Sequence, residues 1–246
     1  MRYFLELAYF GKAYHGWQRQ PGAPTVQEVI EKALSTLLQE TIEIVGAGRT
    51  DAGVHARQMF AHFDTDEKLP EDLVFRMNSF LPKDIAILDL FQVKADAHAR
   101  FDATARSYEY HLVKQKNVFA NDTAFWIKKE LDVEKMNEAA RILQEYSNFK
   151  CFSRSRTDVR TYNCVITSAY WEQMDQKLVF HISADRFLRN MVRAIVGTLL
   201  QIGLGKLDVQ AMHDIIKSEN RSEAGASVPA HGLFLTKIEY PKSIFY

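Results

Sequence analysis

The stretch richest in chemistry in this 246-residue chain is Gly46-Ala47-Gly48-Arg49-Thr50-Asp51-Ala52-Gly53-Val54-His55. Three glycines within eight residues let a backbone turn tightly and take positive φ, and between them stand an arginine, a threonine and an aspartate. Asp51 is the candidate reactive group. An ionised carboxylate held out on a rigid scaffold can act as a nucleophile, and Arg49, two residues away with a permanent charge, favours the ionised form. The same residues would also make an ordinary glycine-rich turn whose arginine and aspartate pair for local order. Loop shape alone leaves both readings open.

The flanking elements must position that loop. Ile42-Glu43-Ile44-Val45 before it and Gln58-Met59-Phe60-Ala61-His62-Phe63 after it alternate apolar and polar residues, so the loop is expected to join two strands. Upstream, residues 3–10 read as a strand, followed by a polar, aromatic loop, 11–21, whose Tyr14, Trp17 and arginines either hold RNA or cap a core. Thr25-Val26-Gln27-Glu28 is a capping box, and Val26, Val29, Ile30, Ala33, Leu34, Leu37 and Leu38 repeat at helical spacing behind it. Pro70 opens a second helix with Leu73, Met77 and Phe80 on one side, Pro82 ends it, and residues 84–94 alternate as a strand.

From Arg106 the order recurs approximately: strand to Lys114, helix over 132–146, strands over 165–174 and 178–184, a helix through Met191 and Leu199, a short helix over 209–216 and a last strand over 233–240. This order predicts an α+β fold of two split βαβ units, ferredoxin- or RRM-like, with mainly antiparallel sheets joined across a central active-site cleft. The boundary is expected near Ala103, giving residues 1–103 with the aspartate loop and residues 104–246 completing the cleft. No low-complexity linker marks it, which predicts an extensive shared interface. Arg186, Arg189 and Arg193, spaced three and four apart, are expected to share a helix face opposite Met191, Ile195, Leu199 and Ile202. Such a face is either solvated surface or an anion-binding wall, and an arginine reaching the Asp51 loop would be a second charge partner.

Composition bounds the function. With 31 basic and 31 acidic residues the formal net charge is zero, so any basic surface must come from spatial segregation. Arginines beside aromatics, as in Arg2-Tyr3, Arg100-Phe101, Arg106-Ser107-Tyr108 and Arg186-Phe187, suit phosphate contact with base stacking but are also ordinary surface composition. Two cysteines, Cys151 and Cys164, form neither a disulfide scaffold nor a metal set, which fits a reducing cytosol and a cytoplasmic location. His55, His62, His98 and His111 lack zinc-motif spacing, His181 and His213 read as structural, and no Gly-rich nucleotide loop is present, so neither metal nor nucleotide cofactor is expected. No run approaches the roughly 20 apolar residues of a membrane span, and the mature chain is expected to start at Met1.

Six motifs then stand in order: Tyr14-His15-Gly16-Trp17-Gln18-Arg19-Gln20, Gly48-Arg49-Thr50-Asp51-Ala52-Gly53-Val54-His55-Ala56, Asn78-Ser79-Phe80-Leu81-Pro82, Ala103-Thr104-Ala105-Arg106-Ser107-Tyr108-Glu109-Tyr110, Met191-Val192-Arg193-Ala194-Ile195-Val196-Gly197-Thr198-Leu199 and Gly232-Leu233-Phe234-Leu235. Together they resemble the tRNA pseudouridine synthase A family nearly end to end. The resemblance implies that Asp51 is the nucleophile, that Tyr108 stacks on the target uracil, that Arg193 pairs with the Asp51 carboxylate, that Arg49 contacts RNA near the flipped nucleotide and that Leu233 packs the pocket. It implies the same two-unit cleft, and uridine isomerisation in the tRNA anticodon stem and loop without metal or organic cofactor, by a homodimer gripping one tRNA with both subunits. Whether the carboxylate attacks C1′, assists a glycal route or adds to C6 stays open. A glycine near Gln58 and a Thr-Ala pair at Ser227-Val228 would be expected, so the turn after Arg57 and the loop before Leu233 are expected to be shaped differently. Two rivals remain: a non-catalytic protein that binds structured RNA, and a carboxylate hydrolase, for which no second acid stands within the motif.

Overall fold

The computed structural model describes residues 1–154 and 159–246. It is mixed α+β, with nine strands and five α-helices among the described residues and mostly antiparallel pairing. The chain clusters into two compact units: residues 1–104 together with 235–246, and residues 105–234.

The first unit holds β1 (Arg2–Tyr9), α1 (Val26–Leu38), β2 (Val45–Gly46), β3 (His55–Asp64), α2 (Leu73–Phe80), β4 (Ile85–Val93) and the later part of β9 (Leu233–Glu239). Its strand order is β4-β1-β3-β9, with β2 on β3, and β1 runs antiparallel to both its neighbours. Phe4, Leu5, Leu7, Met59 and Phe63 from the strands, with Val26, Ile30, Ala33 and Leu34 from α1, are fully buried. At about 1.5–3 kcal/mol for each large side chain, this burial is what holds the helix down. The expected cap is present: Thr25 Oγ1 accepts the Glu28 N–H at 3.4 Å, a contact whose loss typically costs ~1 kcal/mol.

The second unit holds β5 (Ala105–Val113), β6 (Phe125–Trp126), α3 (Val133–Ile142), β7 (Ile166–Met174), β8 (Lys177–Ala184), α4 (Met191–Gly203), α5 (Gln210–Ser218) and the first residues of β9. Here β5, β8 and β7 pair antiparallel in that order, and β6 lies parallel to the end of β5. Helix α4 is apolar almost all round and correspondingly buried, with Met191, Ile195, Leu199 and Ile202 all inaccessible to solvent. Burial pushes the Cys151 and Cys164 thiols up to about 12, which keeps both protonated at neutral pH. No helix among the described residues is long and apolar enough to cross a membrane.

Several expectations need correction. The strand after the aspartate loop begins at His55, and the chain does not turn after Arg57. The register instead slips between Leu7↔Met59 and Tyr9↔Ala56, a β-bulge at Arg57 and Gln58. Gln58 fills this bulge usefully: its Nε2 donates to Glu6 Oε1 (2.7 Å) and its Oε1 accepts the Ile238 N–H (2.9 Å), stapling β1 and β9 to β3. Leu73 and Met77 are buried on α2 as expected, but Phe80 is half exposed because the chain leaves the helix at Leu81. Helix α3 stops at Ile142 and continues as a short 3₁₀ turn, 143–145. The arginine face does not form. Asn190 takes a left-handed conformation (φ 66°) and α4 starts only at Met191, so Arg186 and Arg189 precede the helix and cannot share a face with Arg193.

Candidate active site

Asp51 lies in the loop 47–54 between β2 and β3, whose own pairing is only Val45↔His62 and Gly46↔Ala61. Two rungs of ladder cannot fix a loop of this length, and further bonds come from residues 9–17, from within the loop and from β3. The Trp17 N–H donates to the Thr50 carbonyl (3.3 Å), the Gly53 N–H donates to the Tyr14 carbonyl (3.3 Å), and the Val54 N–H closes a turn on the Asp51 carbonyl (3.2 Å). The Ala47 N–H donates to the Phe60 carbonyl (2.8 Å). Tyr9 Oη and Thr50 Oγ1 are hydrogen-bonded at 2.8 Å, one residue from the carboxylate. Backbone groups on both sides of Asp51 are therefore tied down, which is what a carboxylate held in one position requires.

The glycines divide by role. Only Gly53 of the three takes positive φ (79°), whereas Gly46 is needed because a Cβ there would stand 2.3 Å from the Trp17 ring nitrogen. Gly48 has open space around it. Trp17 is 2% exposed and Tyr14 is buried, with its hydroxyl donating to Asp84 Oδ1 at 2.6 Å. These aromatics therefore carry the loop, and the alternative in which they hold RNA is set aside. Arg19 is engaged as well, lying 3.0 Å from Glu31 and 3.6 Å from Glu43. Of the two charged residues on the loop, Asp51 is half-buried and Arg49 exposed.

The nearby histidines act as neutral acceptors. His55 Nδ1 takes the Gly11 N–H (3.0 Å) while its ring stacks on Phe10 at 4.2 Å, and His62 Nδ1 takes the Ala99 N–H (3.1 Å). Burial, and then the positive Arg2 and the neighbouring His98, lower His62 to about 4, so it stays uncharged at neutral pH. No group of three or more His, Cys, Asp or Glu that could hold a metal ion occurs among the described residues.

Tyr108, Arg193 and Leu233 all belong to the second unit, and the segment 224–233 contains Leu233 and bonds both Arg193 and the strand that carries Tyr108. Tyr108 is half-buried on β5 opposite Ile182, with Phe187 edge-on to its ring at 5.1 Å. Arg193 sits in the first turn of α4, where its Nε donates to the Val228 carbonyl (2.8 Å) and its own carbonyl accepts the Val228 N–H (3.2 Å). One residue on, the Pro229 carbonyl accepts from the Tyr110 hydroxyl (2.9 Å), two residues along β5 from Tyr108. Leu233 follows, buried, at the start of β9. Ser227 is the junction of this brace, with Oγ accepting from Asn190 Nδ2 (2.6 Å) and Arg221 Nη2 (3.0 Å). Thr-Ala was expected where Ser227-Val228 stands, and Ser227 makes these bonds through a hydroxyl that threonine also carries.

Sequence reasoning missed Tyr9, Thr50, Phe187 and Val228 as supports of the candidate residues. Phe187 had one visible signal, its place beside Arg186; Val228 had none, because it acts through its backbone.

The sequence profile of a family described as tRNA pseudouridine synthase matches residues 7–102 and 139–241. The chain is 51% identical to tRNA pseudouridine synthase A of Porphyromonas gingivalis, covering 99% of both chains. It is 52% identical to tRNA pseudouridine synthase A of Bacteroides thetaiotaomicron over 99% of this chain and 92% of that one. With tRNA pseudouridine synthase A 2 of Clostridium perfringens it shares 39% identity, over 96% and 98% respectively.

Proposed function

The chain belongs to the tRNA pseudouridine synthase family, and from that premise we propose how it works: it isomerises uridine to pseudouridine in tRNA, with the Asp51 carboxylate as its nucleophile. The observation that carries the assignment to Asp51 is the loop itself. A half-buried carboxylate is fixed through backbone bonds on both sides, with an exposed arginine two residues away. An ordinary turn needs no such bracing.

The reaction breaks the C1′ to N1 bond, turns the base within the site, and joins C1′ to C5. The hydrogen on C5 leaves to water as a proton and N1 takes up a proton in its place, so atoms and charge balance without an oxidant or a nucleotide. As nucleophile, the Asp51 carboxylate bonds to C1′ of the ribose or to C6 of the ring while the base is detached, and that bond breaks again before pseudouridine leaves, so the enzyme is returned unchanged. Tyr108 offers a ring on which the flipped uracil stacks, a contact worth about 1–3 kcal/mol that offsets the cost of unstacking the base. Arg193, oriented by Val228, is the charge partner of the Asp51 carboxylate, Arg49 meets the RNA backbone beside the target, and Leu233 closes the apolar side of the pocket.

The same reading takes each unit as a split βαβ-type fold, with the catalytic cleft between residues 1–103 and 104–246, and takes the working form to be a cytoplasmic homodimer on one tRNA. The target is the anticodon stem and loop, selected by shape and phosphates more than by base identity. Support for this comes from the order of elements in the two units and from the family resemblance of the motifs.

Transfer RNA carrying tritium at C5 of uridine tests the proposal, because pseudouridine formation must release that label to water. Release from an isolated anticodon stem-loop at a rate close to that from whole tRNA is the expected result. Tight binding with no release would leave only the RNA-binding reading, and release from uridines outside the anticodon arm would overturn the site assignment.

A further inference from the structure

Glu31 is a buried carboxylate, 6% exposed, on the middle of α1 and without a part in the chemistry above. Its Oε1 accepts the buried Ile44 N–H (3.0 Å) and Gln27 Nε2 (3.1 Å), while its Oε2 meets the Arg19 guanidinium (3.0 Å). Gln27, one turn earlier, completes the frame: its Nε2 donates to the Ile44 carbonyl (2.9 Å) and its Oε1 accepts the Arg19 N–H (3.0 Å). Both backbone groups of Ile44 are thus taken by side chains of α1, where a strand would ordinarily offer ladder partners. The two segments gripped in this way are the one that enters the aspartate loop and the one hydrogen-bonded to it. Ile44 leads directly into β2 and residues 47–54, and Arg19 ends the segment in which Trp17 and Tyr14 hold Thr50 and Gly53.

A lone buried carboxylate is costly, and it is retained only with a paired charge and full hydrogen bonding, both of which Glu31 has. Ile42 and Ile44 already anchor the same segment in the core, so apolar contact alone would hold it there but would not fix its height above the helix. Directional bonds do that.

We infer that Glu31 is a positioning residue for Asp51: with Gln27 it sets the segment at Ile44 that enters β2 and the Tyr14–Arg19 segment at fixed heights, and so fixes where the nucleophile stands. This rests on the reading of Asp51 as nucleophile. Misplacing a catalytic group by about an ångström from a distance can cost about a hundredfold in rate, whereas RNA contacts elsewhere would be untouched.

The test compares Glu31→Ala and Glu31→Gln with the unaltered protein, using single-turnover tritium release and tRNA affinity at a temperature where circular dichroism shows all three folded. Glu31→Ala is expected to slow release at least about tenfold with tRNA affinity within about twofold, and Glu31→Gln, which still offers an oxygen to the Ile44 N–H, to recover the rate to within about threefold of wild type. If Glu31→Ala does not fold, Gln27→Met carries the test with the same thresholds. A wild-type rate in the folded variant, or a rate loss matched by lost affinity, or no recovery in Glu31→Gln, overturns the inference. Asp51→Asn run alongside separates the two claims: if it releases label normally the nucleophile reading fails, and if it is silent while Glu31→Ala is normal only the positioning role fails.

Discussion

The two units hold their candidate residues in different ways. In the first, the aspartate loop is fixed through main-chain atoms: the Thr50, Asp51 and Gly53 backbones are all bonded, and Gly46 admits the Trp17 ring at a distance no other residue would allow. In the second, Tyr108 and Arg193 are regular-element residues whose side chains are set by neighbours, namely the edge-on Phe187 ring and the Val228 carbonyl. The histidines follow the same division. His55 and His62 are buried neutral acceptors of backbone N–H groups, whereas His111 lies 2.8 Å from Glu109 and His181 stands 3.8 and 3.6 Å from Glu109 and Glu172. On the proposed reading, a bond-forming carboxylate tolerates little displacement and gains from a backbone scaffold, while a ring that stacks on the substrate and an arginine that pairs with the carboxylate can be set by side chains.

The sharpest way to break this contrast is Gly16→Ala. Gly16 has φ 92° and a Cβ there would stand 2.4 Å from the Thr50 carbonyl oxygen, so the segment and the loop must separate. The backbone conformation alone costs about 1–2 kcal/mol, and the displaced loop should lower single-turnover release about a hundredfold. A variant that keeps the wild-type rate would show that the loop is not held by this contact. Tyr108→Ala is next: loss of the ring should weaken turnover by about 1–3 kcal/mol, while Tyr108→Phe keeps stacking and RNA binding nearly intact. If phenylalanine proves as inactive as alanine, the hydroxyl acts in the chemistry and the side-chain account of the second unit is wrong.

A smaller effect is expected from Tyr9→Phe, which removes one hydrogen bond to Thr50 and should cost ~1 kcal/mol in stability with a rate loss of a few-fold. Smallest at neutral pH is the effect of His62. Its folded-state pKa of about 4 lies below the unfolded value of about 6.5, so the unfolded chain binds the extra proton first. The stability from neutral His62 is complete above about pH 6.5 and is lost as pH falls towards 4. Amide exchange should accelerate in residues 1–104 before 105–234 across that window, and His62→Gln should flatten the difference. Equal acceleration in both units would remove the distinction between their histidines.

Much of this was legible in the sequence because it rested on local rules. The Thr25 cap, the apolar stripe of α1 and the strand alternations each depend on neighbours within a few residues. The misreadings came from long-range partners. Nothing local reveals that Asn190 turns left-handed and cuts Arg186 and Arg189 from α4, or that Gln58 replaces a turn with a bulge. Nor could spacing show that Trp17 is buried under Gly46 when its neighbours read as an exposed polar loop. Asp51 stood out as a candidate because an aspartate beside an arginine on a glycine-rich loop admits chemistry and the surrounding motifs resemble a family, whereas Glu31 and Val228 make their bonds to backbone atoms that spacing does not point to.

The central claim, that Asp51 is the nucleophile, is tested most directly by Asp51→Asn, which keeps the size of the side chain but removes its charge and nucleophilicity. With C5-tritiated tRNA, the account predicts affinity close to wild type and no release of label. Release at the wild-type rate would contradict it and return the loop to an ordinary glycine-rich turn.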